Sequence, residues 1–298
     1  MSFYDGLIYN AIAEKTLTFT IEAQAGDIVN CHANPHDDGG VATILWGDGS
    51  IGTSSGSGGQ LLSHEYENNG KYKLSVACTG AGLKRLLFEG STANIVSSNE
   101  KWFYHPQLGG VSFANCKNSA LDFQLLPESL IKLDYAFNNN SSAFLNIKRL
   151  PFQVANMNGA FFRCTNALLP FKELPQGVTT AINAFSGCIN ATSTVTSLPT
   201  TLTNAAGIFY RCSKMDIRLN TLPSALTSLK QSFDQSAAII NLDEVVNSAP
   251  AGGFTSLVDI SGAFYSAPGV TGSRSRFLAA CPNLQSSDNA FTGTNTTD

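Results

Sequence analysis

The chain has 298 residues, enough for one or two domains, and charged residues make up only 13% of it, about half the usual share. A formal net charge of −4 and a pI near 5.6 predict no basic surface, so nucleic acid is excluded as an expected partner. No apolar run approaches the roughly 18–20 residues of a membrane-spanning helix, so we expect no membrane span.

Residues 1–14 (MSFYDGLIYNAIAE) form the first distinct segment. It lacks a basic stretch followed by an apolar one, so we expect no secretory signal. Aromatic residues are concentrated here, at Phe3, Tyr4 and Tyr9, although chain termini are often frayed. The segment is either a frayed start or an N-terminal arm that docks on a larger assembly, and both interpretations stay open.

Between residues 15 and 80, apolar and polar residues alternate in short runs. The runs at residues 17–21, 41–46 and 72–76 carry this pattern, and turn-forming residues separate them. Such alternation is typical of β-strands. The composition of residues 52–59 (GTSSGSGG) predicts a flexible loop. We therefore predict a small β domain over residues 15–80.

A set of short motifs in this segment resembles PKD-type immunoglobulin-like domains. The sequence WGDG begins at Trp46, H-x-Y follows at His64 and Tyr66, and G-x-Y-x-L-x-V begins at Gly70. Leu74 stands where that family has valine, which is a mild departure. The resemblance covers the segment from 15 to 80 and implies a small Ig-like β-sandwich that serves as a spacer or an adhesive module.

Two cysteines and several potential metal ligands lie in the same segment. Cys31 is followed by His32, and His36 by two aspartates. Since an isolated loop cluster is a weak metal signal, we predict no metal site and no cofactor. Cys31 and Cys78 could face each other as a disulfide or as packed thiols, and both alternatives stay open.

From Phe113 onward, phenylalanine recurs with a fixed 24-residue period. Leu-Pro pairs and cysteines recur in step with it. The phenylalanines are Phe113, Phe137, Phe161, Phe185, Phe209 and Phe233; the pairs begin at Leu126, Leu150, Leu174, Leu198 and Leu222; the cysteines are Cys116, Cys164, Cys188 and Cys212. A fixed period of roughly 20–50 residues is the signature of a stacked repeat architecture. We expect the four cysteines to be buried free thiols.

Other apolar residues also recur at fixed offsets, which predicts a core formed between repeats rather than inside one. They are Leu130, Leu133, Val154, Met157, Val178, Ala181, Leu202, Ala205, Leu226 and Leu229, with a later column at Ile147, Phe171, Val195 and Leu219. Residues 83–88 indicate an irregular first repeat, and insertions at 241–253 and 271–282 lengthen the last two. We predict an all-β or mainly β chain in which residues 81–298 form a solenoid of about eight 24-residue coils.

The L-P…A-F-x-x-C pattern resembles the BspA-type leucine-rich repeats of bacterial surface proteins and related viral proteins. The match covers about two-thirds of the chain. It departs from the family in repeat length and at Asn140 and Ser236, where cysteine is expected. The resemblance implies a leucine-rich-repeat solenoid, while the strand-bearing segment of each coil stays open.

No catalytic signature is present in the sequence. It has no G-x-S-x-G, H-E-x-x-H, Walker or dinucleotide-binding motif, and none of the four histidines lies in the regular repeats. We therefore predict no enzyme and no catalytic residues. Carboxylate pairs can be assembled by the fold alone, so a glycan hydrolase remains a third hypothesis.

The polar residues just before each ladder phenylalanine are our candidate binding strip. Solenoids commonly bind ligands along such rows, in which only the side chains change from coil to coil. The candidates are Lys132, Tyr135, Asn156, Asn158, Asn183, Asn204 and Lys230. We predict Tyr135 as an anchor, because tyrosine provides a large contact area at low entropic cost. The alternative is a merely solvated face.

Two hypotheses of function follow from the two resemblances and the expected lack of a signal. The first is a non-enzymatic virion surface protein of a bacteriophage, for host recognition or decoration. Its arm or β domain would attach to other virion proteins, and its repeats would bind a host protein or glycan. The second is a bacterial cell-surface adhesin that lacks its leader. Assembly into a homo-oligomer stays open.

Overall fold

The computed structural model describes residues 16–98, 108–116, 125–141, 145, 147–169 and 172–298. The chain is mainly β, with about 30% strand and 5% helix, and it contains a β-solenoid of about eight turns. The predicted mainly β class and the predicted solenoid are confirmed at this level. The N-terminal arm and Phe171 lie outside the described residues.

Two mostly antiparallel sheets precede the solenoid. The first has the strand order β4-β3-β6-β1-β8 and the second β5-β2-β7-β9, and the β7–β9 pair is parallel. The strands are β1 (Leu17–Ala23), β2 (Ile28–Pro35), β3 (Val41–Leu45), β4 (Ile51–Ser55), β5 (Leu61–Glu65), β6 (Gly70–Cys78), β7 (Leu83–Leu87), β8 (Asn94–Ser98) and β9 (Gly110–Ser112). The three predicted strands correspond to β1, β3 and β6.

Strand β4 contradicts part of the sequence prediction. We expected a flexible loop over residues 52–59, but residues 51–55 pair along the whole of β3. Thr53 lies opposite Thr43 in this ladder, and β4 is the edge strand of its sheet. Threonine and serine fit an exposed edge strand, because the backbone hydrogen bonds and not the side chains hold it there. Only the turn after Ser55 keeps the predicted glycine-rich character.

Buried aromatic side chains connect these sheets to the solenoid. The Phe19 ring lies 4.8 Å from the Phe88 ring, and the Phe88 ring stacks on Phe113 at 5.4 Å between centroids. The Phe88 N–H donates to the Ser112 carbonyl, and the Cys116 thiol donates to the Phe88 carbonyl. Residues 83–88 therefore act both as a strand of the second sheet and as the start of the coil stack.

The ladder phenylalanines form one continuous buried stack. Successive rings lie 5.2–5.9 Å apart from Phe88 through Phe113 to Phe291, and the stack passes through the two longer coils at Phe264 and Phe291. The predicted apolar positions before each phenylalanine are also fully buried, as Val154 and Met157 show. The prediction that the repeat ladder is core is confirmed.

Short parallel strands and two helices complete the later coils. They are β10 (Thr194–Val195), β11 (Asp216–Leu219), β12 (Ile239–Asn241), β13 (Val270–Ser273), β14 (Asn295–Thr297), α1 (Leu242–Asn247) and α2 (Arg274–Ala279). The strands pair in chain order as one parallel sheet. Their segment follows the phenylalanine and contains Val195 and Leu219 of the predicted later column. Both helices lie in the predicted insertions.

All seven cysteines are free thiols, so the predicted free ladder thiols are confirmed. Cys31 (buried) and Cys78 (half-buried) are therefore not joined by a disulfide, which leaves the alternative of unbonded thiols. Burial raises the pKa of Cys188 to about 12 and that of Cys78 to about 11. These thiols are therefore protonated at neutral pH and act as small packing groups.

Candidate functional site

From the Phe137 coil onward, each coil carries two residues in the left-handed backbone region, one two positions before the ladder phenylalanine and one two positions after it; the Phe113 coil carries only the second. We call these series the upstream and the downstream column. The upstream column is Tyr135, Gly159, Asn183, Gly207, Gln231, Gly262 and Asn289; the downstream column is Asn115, Asn139, Arg163, Gly187, Arg211, Gln235, Ser266 and Gly293. Their φ angles lie between 51° and 77°.

Hydrogen bonds between coils hold this unusual backbone in place. The N–H of Tyr135 donates to the Asn158 carbonyl of the next coil, and the N–H of Arg163 donates to the Ser186 carbonyl. Left-handed backbone costs a non-glycine residue about 1–2 kcal/mol, which these repeated bonds offset. Most side chains of both columns are exposed. Two rows of side chains therefore flank the buried phenylalanine ladder along the solenoid.

The predicted strip is a real row, but its residues differ in accessibility. Parallel bridges join Lys132 to Asn156, Asn156 to Thr180 and Thr180 to Asn204, one residue per coil. Among the predicted binding residues, Lys132, Tyr135, Asn183 and Lys230 are exposed, while Asn156, Asn158 and Asn204 are half-buried.

The half-buried asparagines use their side-chain oxygens to hold the backbone. Asn156 Oδ1 accepts from the Asn158 N–H at 3.0 Å, and Asn204 Oδ1 accepts from the Ala206 N–H at 3.0 Å. Asn158 Oδ1 instead accepts from the Ile182 N–H of the next coil at 2.8 Å. These three asparagines therefore support the coil geometry, which leaves the exposed side chains as the part of the strip that can contact a ligand.

The Tyr135 ring packs against Gly159 of the neighbouring coil. A methyl group at Gly159 would overlap its ring, and a methyl group at Gly207 would similarly overlap the Asn183 side chain. The Tyr135 side chain is still 55% exposed. It therefore presents an aromatic surface supported from below by glycine, as the predicted anchor role would require.

A shallow groove of about 530 Å³ runs on the downstream side of the ladder. The downstream column and its neighbours line it: Asn115, Asn139, Ser141, Phe162, Arg163, Thr165, Ser186, Gly187, Ile189, Tyr210 and Arg211. It combines amides, hydroxyl groups, aromatic rings and two guanidinium groups. None of its residues belongs to the strip predicted from the sequence.

The two arginines of this groove occupy equivalent settings two coils apart. The Arg163 guanidinium lies 5.0 Å from the centre of the Phe162 ring, and that of Arg211 lies 5.2 Å from the centre of the Tyr210 ring. Both arginines are exposed, and neither has an ion pair within 4 Å among the described residues. The aromatic rings orient the guanidinium groups without neutralising their charge.

A sequence signal for this groove exists, although the prediction missed it. The triplets Phe-Arg-Cys at residues 162–164 and Tyr-Arg-Cys at residues 210–212 stand two full repeats apart. Ser-Gly-Cys occupies the same place in the repeat between them. The same repeat position thus holds an aromatic residue and an arginine in two coils and two small residues in the coil between them. This pattern indicates two similar projections on the surface with a gap between them.

The WGDG motif contributes a second polar cluster in the N-terminal sheets. Asp48 Oδ2 lies 2.7 Å from His64 Nε2, and Asp48 Oδ1 accepts from the Ser50 hydroxyl at 2.6 Å. The Trp46 ring stacks on His64 at 4.9 Å. Burial raises the pKa of Asp48, but the hydrogen bonds from Ser50 and His64 outweigh it and lower that pKa to about 2.

The contacts of this cluster are those of a stabilised turn. The Ser50 hydroxyl donates to the carboxylate itself at 2.6 Å, and its contact with His64 Nδ1 is longer, at 3.5 Å. Tyr66 completes the cluster, since its hydroxyl donates to the Trp46 carbonyl at 2.9 Å. The WGDG and H-x-Y motifs thus hold two strand connections together.

Within the described residues, no three histidine, cysteine, aspartate or glutamate side chains come together as metal ligands. Cys31 with His32, and His36 with the two aspartates after it, were the weak metal-ligand candidates of the sequence. They form no such three-ligand group within the described residues. No helix among the described residues is long and apolar enough to cross a membrane.

Comparisons of the chain with protein-family models, with curated proteins and with solved structures find no match. The groove and the exposed part of the strip are the two candidate contact surfaces among the described residues.

Proposed function

We propose that this chain is a non-enzymatic recognition protein that binds an extended ligand along its repeat surface. The observation that carries the proposal is the groove with two exposed, unneutralised arginines held over aromatic rings. A charge without an internal partner, kept in a fixed orientation, suits contact with an outside group. The exposed Tyr135 ring on the strip offers a second place where such a ligand can make contact.

We propose the surface of a bacteriophage particle as the place where this recognition occurs. The sequence resemblances to PKD-type domains and to BspA-type repeats support it, since both occur in adhesive surface proteins. The N-terminal sheets would then be an Ig-like spacer that attaches to other virion proteins. The hydrogen-bonded cluster of Trp46, Asp48 and His64 supports this assignment, because those residues carry the resemblance.

Binding to cells tests the recognition role. The purified chain, labelled with a fluorophore, is incubated with a panel of bacterial strains before and after periodate oxidation of their surface glycans. We expect saturable binding to at least one strain, and loss after oxidation if the receptor is a glycan. The absence of binding to every strain would contradict host recognition and favour a decoration role.

Particle labelling tests the location. An antibody against the chain should label phage particles in negative stain, with the gene lying among capsid and tail genes. Labelling of bacterial cells instead would favour the alternative, a cell-surface adhesin. A screen of surface glycans for cleavage products addresses the hydrolase hypothesis.

A further inference from the structure

We infer that the groove between Arg163 and Arg211 binds a linear acidic polysaccharide, with each guanidinium holding the carboxylate of one uronic-acid ring. This inference rests on the proposed recognition function and names its ligand class. Arginine presents a planar fork of N–H donors that matches a carboxylate, and an exposed, oriented fork loses little entropy when it binds one.

Three other arginines of the chain differ from these two, because a carboxylate neutralises each of them. Arg149 pairs with Glu128, Arg218 with Asp216 and Arg276 with Asp243. The chain as a whole carries a net charge of −4, so carboxylates outnumber cations. Arg163 and Arg211 nevertheless stand without an ion pair in the described structure, and each lies over a ring instead.

One carboxylate that interacts with Arg211, that of Asp234, is buried. Asp234 lies in the coil that follows the Arg211 coil, and its backbone carbonyl accepts a hydrogen bond from the Arg211 N–H at 2.8 Å. Burial raises the pKa of the Asp234 carboxyl, while the Arg211 charge lowers it in part. Its side chain is directed away from solvent and makes no ion pair within 4 Å with that guanidinium. The outer face of Arg211 is thus available to a ligand.

The spacing of the two arginines fits a chain of sugar rings. Neighbouring coils are about 4.8 Å apart, so equivalent atoms two coils apart are separated by about 10 Å. The coil between them carries Ser186 and Gly187 in place of an aromatic residue and an arginine. A methyl group at Gly187 would lie only 3.2 Å from Arg163 Cγ, so the gap depends on this glycine. A linear polyuronate places one acidic ring at each arginine and a third ring, acidic or neutral, in the gap.

The remaining lining favours a hydroxyl-rich ligand over an acidic peptide or a nucleic acid. Asn115 and Asn139, whose side chains bond each other at 3.1 Å, continue the column beyond Arg163. Thr165 and Ser141 add hydroxyl groups, joined through the Thr165 hydroxyl and the Ser141 carbonyl at 2.7 Å. Two cations on an acidic protein are too few for the dense phosphates of nucleic acid. Sugar hydroxyls, in contrast, match amide and hydroxyl donors.

The test uses three polyuronates, polygalacturonate, alginate and hyaluronate, with methyl-esterified polygalacturonate as the neutral partner of the first. We expect at least one polyuronate to bind the full chain and the methyl ester to bind at least tenfold more weakly. The Arg163→Gln and Arg211→Gln substitutions should each weaken binding about tenfold, which corresponds to one charge-assisted contact. Arg163→Lys should restore only part of the loss, because lysine lacks the fork.

Arg218→Gln is the matched control, since Arg218 is exposed but paired with Asp216 outside the groove. It should leave polyuronate binding unchanged. Gly187→Asn fills the gap with a residue that tolerates left-handed backbone and should reduce binding without lowering the melting temperature by more than a few degrees.

Several outcomes would overturn the inference. Binding of no polyuronate, equal binding of the methyl ester, or undiminished binding by both arginine variants each does so. Tighter binding of poly-glutamate than of every polyuronate would assign the groove to an acidic peptide instead. If labelled wild-type chain binds cells but no polyuronate, the recognition function stands and this ligand assignment fails.

Discussion

Each ladder cysteine donates its thiol hydrogen to the carbonyl oxygen of the phenylalanine one coil earlier. The distance is 2.8 Å from Cys164 to Phe137 and 3.0 Å from Cys212 to Phe185. The thiol is small enough for the core and polar enough to make a weak bond there. In the Phe137 coil the equivalent position is Asn140, which is fully buried and whose side-chain nitrogen and oxygen have no hydrogen-bond partner among the described residues.

Asn140→Cys should therefore stabilise the protein. The substitution removes an unsatisfied buried amide, which costs about 1–3 kcal/mol, and supplies a thiol that can donate to the Phe113 carbonyl. We expect a gain of about 1 kcal/mol or more in the free energy of unfolding, measured by urea denaturation. The reverse change, Cys164→Asn, is the matched control and should destabilise. A loss of stability in the first variant would contradict the assigned ladder position.

The Asp48 cluster predicts a dependence of stability on pH. The folded protein holds the pKa of Asp48 at about 2, below its ordinary value of 3.8. The ionised Asp48 carboxylate therefore contributes to the stability of the folded state above the unfolded pKa, and this contribution is lost as pH falls from about 4 to about 2. We expect a loss of about 1 kcal/mol over this window, allowing for partial exposure. In urea titrations, Asp48→Asn should reduce this dependence of the free energy of unfolding on pH. Asp288→Asn, at an exposed site, is the control and should leave the dependence unchanged.

At the scale of the element, one coil is defined by two alternating sets of backbone hydrogen bonds. The amides of Phe161 and Arg163 donate to the next coil, while those of Phe162 and Cys164 close turns within their own coil. Each Leu-Pro pair begins another turn, as the bond from the Val154 N–H to the Pro151 carbonyl shows. A coil therefore cannot satisfy its own backbone, and its stability depends on its neighbours.

Phe185→Ala tests this dependence in the middle of the stack. Its ring lies 5.3 Å from Phe161 and 5.5 Å from Phe209, so truncation opens a cavity shared by three coils. We expect a loss of about 3–5 kcal/mol in the free energy of unfolding. Phe152→Ala is the control, because Phe152 is 68% exposed and should change little. Equal melting curves for the two variants would disprove the ladder as core.

At the scale of the whole molecule, the buried core is continuous from the N-terminal sheets to the last coil. Phe19, Phe88 and Phe113 form the connection, and one cluster of buried residues extends from Leu17 to Ala290. The free energy of unfolding is then shared across the junction. We expect the sheets and the solenoid to unfold together.

Thiol labelling checks this expectation directly. In native protein at pH 8, Cys78 should react first, because it alone among the seven cysteines is half-buried while the others are buried. With increasing urea, Cys31 in the sheets and Cys188 in the solenoid should become reactive over the same range. Labelling of Cys31 at clearly lower urea than Cys188 would show instead that the two parts unfold independently.

The 24-residue period by itself determined the repeat architecture and its core. Phenylalanine, leucine and cysteine at fixed offsets can bury their side chains only by stacking on the equivalent residues of neighbouring coils, so their burial was predictable. The three alternating runs of the first segment likewise predicted β1, β3 and β6. A glycine- and serine-rich composition misled the prediction at β4, because pairing with β3 overrides the weak local preference of those residues.

The candidate recognition surfaces depended on the tertiary structure. Tyr135, Arg163 and Arg211 have no intrinsic preference for left-handed backbone, and only hydrogen bonds between coils impose it. That conformation turns their side chains outward and brings Arg163 and Arg211, two repeats apart in sequence, into one groove. In the same coils, the side chains of Asn156 and Asn204 accept hydrogen bonds from the backbone, whereas the sequence predicted that they contact a ligand. Local composition carries no record of these bonds, because their partners lie a full coil away.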